Sequence, residues 1–318
     1  MRRVGIVGGE THISEITALR GQQLEIVGAA VRADQAAQAA EQFGCPVVVG
    51  YQELLQRFQP DLVAVANEND LRAETIVAAL HAGCDVVCDK PLAVTWDQQR
   101  AVEEAVAASG RKLLNLLTLR GHPLWAGLRG VVQSGRLGTP AFVHVRMAVQ
   151  LKRAARPPWF LDVRRSGGLF LDLLIHGLDY VEWLTGQKTV AVSAVTGNLG
   201  YPDERHLRDH ASVFCELEGA AAVCEGQRML PDTRGSDYRV TVAGTRGFAD
   251  LDMTASRVTV TDPSGEGQVL ETLPPATSVV ADWLAGGDLI PQEASLRANR
   301  LALWATEAAA TGQRVECR

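Results

Sequence analysis

The chain has 318 residues, 47% of them apolar, and a formal charge of −6 at pH 7. That length predicts about two domains, each with its own core, and no apolar run approaches the roughly 20 residues of a membrane span. The acidic balance and the absence of a basic tract exclude nucleic acid as the main partner and favour a small molecule.

The N-terminus, MRRVGIVGG, has too short an apolar stretch for a signal peptide. It reads instead as a buried strand, Arg3 to Gly8, running into a glycine turn and a helix over His12 to Arg20. A strand at Leu24–Val31, a helix at Asp34–Phe43 and an apolar run at Pro46–Val49 follow. Next come a helix at Tyr51–Phe58, a strand at Leu62–Ala66, a helix at Leu71–Ala82 and a strand at Asp85–Cys88. Fully apolar strands alternating with helices predict an α/β fold whose parallel sheet is doubly wound, a Rossmann domain over residues 1–120.

In such sheets the ligand lies beyond the carboxyl ends of the strands. The first turn, Gly8-Gly9-Glu10-Thr11-His12-Ile13, keeps only the first glycine of a dinucleotide fingerprint. Glu10 replaces the glycine that lets backbone approach a pyrophosphate, and Ile13 the small residue that allows close helix packing. At the end of the second strand Arg32 stands where an acid would grip the adenine ribose. An arginine there favours the 2′-phosphate of NADP.

From Pro140 the texture changes to strands with hairpin signals at Ala141–Gln150, Val190–Gly197, Ala211–Leu217, Ala220–Arg228, Tyr238–Ala243 and Arg257–Asp262. An α+β domain over residues 121–318 with a large, mostly antiparallel sheet is expected. The last helix, Glu293–Ala310, could return to the first domain.

Ser166 to Gly186, SGGLFLDLLIHGLDYVEWLTG, carries the strongest chemical signal. On a helix the spacings of four and three place Asp172, His176 and Asp179 along one face amid leucines. Such a buried carboxylate and imidazole must be hydrogen-bonded, and they can exchange protons with a ligand; a structural core pair is the alternative. Upstream, Lys152-Arg-Ala-Ala-Arg156-Pro-Pro-Trp159, with Arg164 and Arg165, forms a basic loop that could bind a substrate anion, with Trp159 stacking on a sugar. The His206, Asp209 and His210 group lacks the helical spacing that would converge two imidazoles, and no metal site is expected. Six cysteines without a C-x-x-C pair predict reduced thiols and a cytoplasmic protein.

After the fifth strand, HAGCDVVCDKPLA contains Asp89-Lys90-Pro91. Here the chain resembles the glucose-fructose oxidoreductase, inositol dehydrogenase and MocA family of NAD(P)-dependent oxidoreductases, whose signature is Glu-Lys-Pro. The resemblance continues through Arg120-Gly-His122-Pro123, Ser134-Gly-Arg-Leu-Gly138, GGLFLDLLIHGLD at 167–179 and VAGTRGFADLD at 242–252. It implies Lys90, Asp172 and His176 as the catalytic trio. Cofactor contacts would come from Gly8, Gly9, Arg32, Ala66, Asn67, Asn69, Asp89 and Lys90, and substrate contacts from Arg120, Trp159, Asp172 and His176. The cofactor would be NAD or NADP, the substrate a sugar, polyol or related small molecule, and the assembly a homodimer or homotetramer. Departures from the family pattern are Asn67-Glu68-Asn69 with Arg72 after the fourth strand, Thr118 for an asparagine and Leu174 for a glycine. They leave open a non-redox ligand-binding or regulatory protein that has lost nucleotide turnover.

Overall fold

The computed structural model describes residues 1–9 and 11–318. The chain divides into two units. The first comprises Met1–Leu117 with Arg164–Gly167 and Ser278–Asn299, the second Thr118–Val163, Gly168–Thr277 and Arg300–Arg318. Two segments beyond residue 120 thus belong to the first unit, which a single boundary does not capture.

In the first unit β1 (Arg2–Gly8), α1 (Ser14–Thr17), β2 (Leu24–Val31), α2 (Ala36–Phe43), β3 (Val47–Val49), α3 (Tyr51–Phe58), β4 (Leu62–Ala66), α4 (Arg72–His81), β5 (Asp85–Cys88), α5 (Trp96–Ser109) and β6 (Leu113–Asn115) alternate. The strands pair in the order β3-β2-β1-β4-β5-β6, all parallel. This is the Rossmann order, and Val63, Val65 and Val86, buried against Ile76 of α4 and Val102 of α5, explain why the strands read as unbroken apolar runs. The helix expected over His12–Arg20 is only a 3₁₀ turn, Thr11–Ile13, and one α-turn. The carbonyl of Leu19 takes the amides of Gln22, Gln23 and Leu24, closing the chain into a turn before it can extend the helix.

The second unit begins with α6 (Pro123–Gln133) and β7 (Pro140–Gln150). Between β7 and β8 (Thr189–Gly197) come α7 (Val163–Ser166), a π-helical turn (Phe170–Leu174) and α8 (Ile175–Thr185). Strands β9 (His210–Leu217), β10 (Ala221–Leu230), β11 (Asp237–Gly244), β12 (Phe248–Asp252), β13 (Arg257–Thr261) and β14 (Gly267–Val269) follow. After them come α9 (Val279–Leu284), α10 (Gln292–Thr311) and β15 (Val315–Glu316). The nine strands pair as β14-β13-β12-β11-β7-β10-β9-β8-β15, antiparallel apart from the parallel pair β7 and β10. Helix α8 packs on the inner face of this sheet. A Cβ on its Gly177 would stand 3.2 Å from Val145 and 3.6 Å from the Cys224 sulfur, so glycine sets the approach distance. No helix among the described residues is long and apolar enough to cross a membrane.

Candidate active site

The cofactor end is built at the carboxyl ends of β1, β4 and β5. Gly8 closes β1 at φ +80°, and a Cβ there would come within 2.3 Å of the Ala66 carbonyl oxygen. Among the described residues, a Cβ on Gly9 would meet only Phe43, at 3.6 Å. Bare backbone therefore lines the turn at both positions. Among the described residues, Oδ1 of Asn67 is buried and accepts no hydrogen bond, while its Nδ2 donates to Thr75. A backbone cradle with an unsatisfied acceptor at the neighbouring strand end fits a dinucleotide. The expectation for Glu10 lies outside the described residues; Ile13 is buried. Gly8→Ala is expected to abolish NADH binding and destabilise the fold, because the added methyl meets backbone at an unfavourable φ. Nicotinamide fluorescence and a thermal melt would check this, and unchanged binding in a folded variant would count against the turn.

Asn69 also makes a contact within the fold. Its Nδ2 donates to the Ser166 carbonyl at 2.7 Å, and the adjacent Asp70 takes two bonds from Arg165 at 2.8 and 3.3 Å, both within the first unit. The turn after β4 thus anchors the segment that leads into the π-turn. Arg32 pairs with Glu68, and with Asp34 at 3.2 Å. Two carboxylates therefore occupy the arginine that would otherwise favour a 2′-phosphate.

Lys90 follows β5 and precedes a cis bond to Pro91; its amide donates to the Asp89 side chain at 2.9 Å. Asp89 also lies 2.6 Å from Nδ1 of His12 and 3.6 Å from the Arg72 guanidinium. Burial alone would raise this carboxyl, but Arg72, His12 and Lys90 outweigh it and hold Asp89 far below the ordinary range. Arg72 is itself buried. It donates to the Asn67 carbonyl at 2.9 Å, to the Asp89 carbonyl at 3.2 Å and to the Lys90 carbonyl. One guanidinium thus clamps the β4 turn to the residues carrying Lys90. The arginine that departs from the family pattern after the fourth strand is a brace for both.

In the second unit, Asp172 sits in the π-turn and His176 in the first turn of α8. The regular helical face expected for Asp172, His176 and Asp179 is corrected here, since the π-turn breaks the 3.6-residue period between the first two. Gly167 and Gly168, at φ +78° and +67°, lead the chain into it. Leu174 fits because β10 carries Gly226 opposite, whose Cβ would stand 3.0 Å from the Leu174 methyl. Asp172 pairs with Arg228 of β10. Asp179 receives Nε and Nη2 of Arg120 at 2.9 and 2.7 Å, with both side chains buried. That places Arg120 as a brace on α8. Trp159 is buried with its ring edge on Phe160, and among the described residues its Nε1 donates no hydrogen bond.

The basic loop is less charged than its sequence suggests. Arg153 pairs with Asp203 at 2.7 Å and with Glu204 at 2.5 Å, Arg165 pairs with Asp70, and Arg156 lies 4.1 Å over the Phe160 ring. Asp209, buried, bonds the Leu199 and Gly200 amides and lies 2.6 Å from His210, so it organises a turn. The roles of His12 and Arg228 escaped the sequence reading, and Arg72 stood there only as a departure after the fourth strand. Arg228 did leave a signal: in the strand Ala220–Arg228, Ala222, Cys224, Gly226 and Arg228 share one face, placing a cation in the apolar phase.

A six-stranded Rossmann sheet together with a nine-stranded sheet carrying the Asp172 and His176 helix defines a two-part dinucleotide-binding oxidoreductase. Residues 2–116 match the oxidoreductase family with an NAD-binding Rossmann fold, and residues 125–250 match the C-terminal domain of the same family. The chain belongs to the glucose-fructose oxidoreductase, inositol dehydrogenase and MocA family of NAD-binding oxidoreductases. It is 27% identical to the uncharacterized oxidoreductase YrbE of Bacillus subtilis over 278 residues, 85% of this chain and 79% of that one. It is 28% identical to an inositol 2-dehydrogenase of Pseudomonas savastanoi over 257 residues, 78% and 74% of the two chains. A levoglucosan dehydrogenase, solved with NADH and levoglucosan, superposes with TM-score 0.85 at 18% identity over 99% of each chain. That likeness shows the fold, as does that of an oxidoreductase domain protein from Kribbella flavida, with TM-score 0.83 at 21% identity over 99% of this chain and 98% of that one.

Proposed function

We propose that the protein is an NAD-dependent dehydrogenase that interconverts a secondary alcohol and a ketone on a sugar, polyol or related small molecule. The observation that carries this is the retention of both halves of the chemistry: Lys90 braced at the end of β5, and Asp172 with His176 at the π-turn. Gly8, Gly9, Ala66, Asn67 and Lys90 would hold the cofactor, whose nicotinamide supplies the hydride acceptor or donor. His176 takes the hydroxyl proton during oxidation and returns it during reduction. Lys90 donates a hydrogen bond to the reacting oxygen and fixes the carbinol carbon. Asp172 accepts from a substrate hydroxyl and offsets imidazolium charge. Trp159 Nε1 provides a donor for a substrate oxygen.

NAD rather than NADP is the proposed cofactor, which reverses the preference read from Arg32. A 2′-phosphate at that arginine would meet the carboxylates of Glu68 and Asp34. The inositol 2-dehydrogenase named above supports the substrate class. Following NAD reduction at 340 nm with myo-inositol, levoglucosan and a panel of sugars and polyols tests it. Turnover of at least one member is expected, and none with any member would count against the reading.

The enzyme is proposed to work in the cytoplasm as a homo-oligomer. Phe142, Phe214, Phe248 and Val195 are exposed, and strand register puts all four on the outer face of the nine-stranded sheet. An apolar face of this kind is ordinarily covered by a partner. Light scattering should give a mass at least twice that of one chain, and a monomer at working concentration would contradict this.

A further inference from the structure

We infer that Arg228 is a positioning residue for the reaction, fixing the carboxylate of Asp172 as a hydrogen-bond acceptor and leaving proton transfer to His176. The inference rests on the dehydrogenase reading above and adds to it a residue outside every family motif in the chain.

On β10 Ala222, Cys224, Gly226 and Arg228 point inward, so the guanidinium enters the space between the sheet and the π-turn, and Arg228 is 4% exposed. A buried cation needs a counter-charge and fixed geometry. Asp172 supplies the charge. The geometry comes from three sides. The Arg228 guanidinium lies 4.8 Å over the Phe160 ring, which also takes Arg156. Its amide donates to the Asp209 carbonyl at 2.8 Å, and its own carbonyl accepts from the Tyr201 hydroxyl at 3.2 Å. Burial and the neighbouring Arg156 push the Arg228 guanidinium down to about 9. It remains charged at neutral pH.

The π-turn is the other half of the device. It changes the direction in which Asp172 leaves the helix, and Gly226 on the same strand makes room for Leu174 two residues later. Strand β10 therefore seats the turn with one residue and holds its carboxylate with another. π-Turns of this kind recur where a side chain must be re-aimed at a functional site.

The test compares wild type, Asp172→Asn, Arg228→Met, Arg228→Lys and the Asp172→Asn/Arg228→Met double variant. NAD reduction is measured with myo-inositol and with levoglucosan, and NADH affinity by fluorescence. Arg228→Met is expected to lower kcat/KM at least tenfold, mainly through kcat, with NADH affinity unchanged within twofold. Arg228→Lys should recover a substantial part of that loss, and the double variant should be no worse than Asp172→Asn alone, because the two residues act as one. Should Arg228→Met not fold, Arg228→Lys and the double variant, which removes both charges, carry the same comparison. Activity of Arg228→Met equal to wild type while Asp172→Asn is inactive would overturn the inference, as would losses that multiply in the double variant. A wild type that turns over neither probe would overturn the underlying reading, a result distinct from both.

Discussion

Lys90→Met is expected to lower kcat/KM for alcohol oxidation by about 10²- to 10⁴-fold, the usual range for removing a group that acts on the proton or the developing charge. NADH affinity should change far less, because in this account the cofactor is gripped mainly by the backbone around Gly8 and Ala66. The expectation is strong because Lys90 is not a surface lysine. It is 7% exposed, its carbonyl accepts from Arg72 and its amide bonds the Asp89 side chain. His176→Ala should cost about as much, within the same 10²- to 10⁴-fold range. Stopped-flow and steady-state measurement with one active polyol separate the hydride step from binding. A His176→Ala protein as active as wild type would sink the proton role assigned to it.

The second large effect is on stability. Arg120→Met leaves Asp179 buried without its bidentate partner, and breaking a buried pair in this way costs about 3–5 kcal/mol. The melting temperature should fall by roughly 10 °C. Burial already pushes the Asp179 carboxyl above its ordinary value even with Arg120 beside it, so removal of the cation exposes the full desolvation cost. The Arg120→Met/Asp179→Leu double variant should regain most of the loss, since an apolar pair replaces an ionic one. A loss below about 1 kcal/mol in Arg120→Met, the range of an exposed pair, would show that the bridge is no brace.

These two sites also mark how far the sequence could be read. The alternation of apolar strands and helices made the parallel sheet legible, and hairpin spacing did the same for the second sheet, because both depend on local periodicity. Lys90, Asp172 and His176 stood out through the company they keep in the chain. What remained hidden depends on contacts distant in sequence. Asp179 and Arg120 are 59 residues apart and Asp172 and Arg228 are 56 apart, so no spacing rule could join them. The π-turn was hidden as well, since SGGLFLDLLIHG has the periodicity of an ordinary buried helix. Its Leu174 packs beside Gly226 of β10, a contact far away in the chain. Arg32 shows the converse: its position suggested a phosphate ligand, and its pairing with Glu68 from the turn after β4 could not be read from the chain.

The proposed function requires a first turn with one fingerprint glycine to hold a nicotinamide dinucleotide and couple it to alcohol chemistry. Titration of the purified protein with NADH and, separately, with NADPH, followed by nicotinamide fluorescence, addresses it most directly. Saturable NADH binding, tighter than that of NADPH, is the predicted result. No binding of either up to millimolar concentration would contradict the account and leave His176 and Asp172 as ligand contacts of a protein without redox turnover.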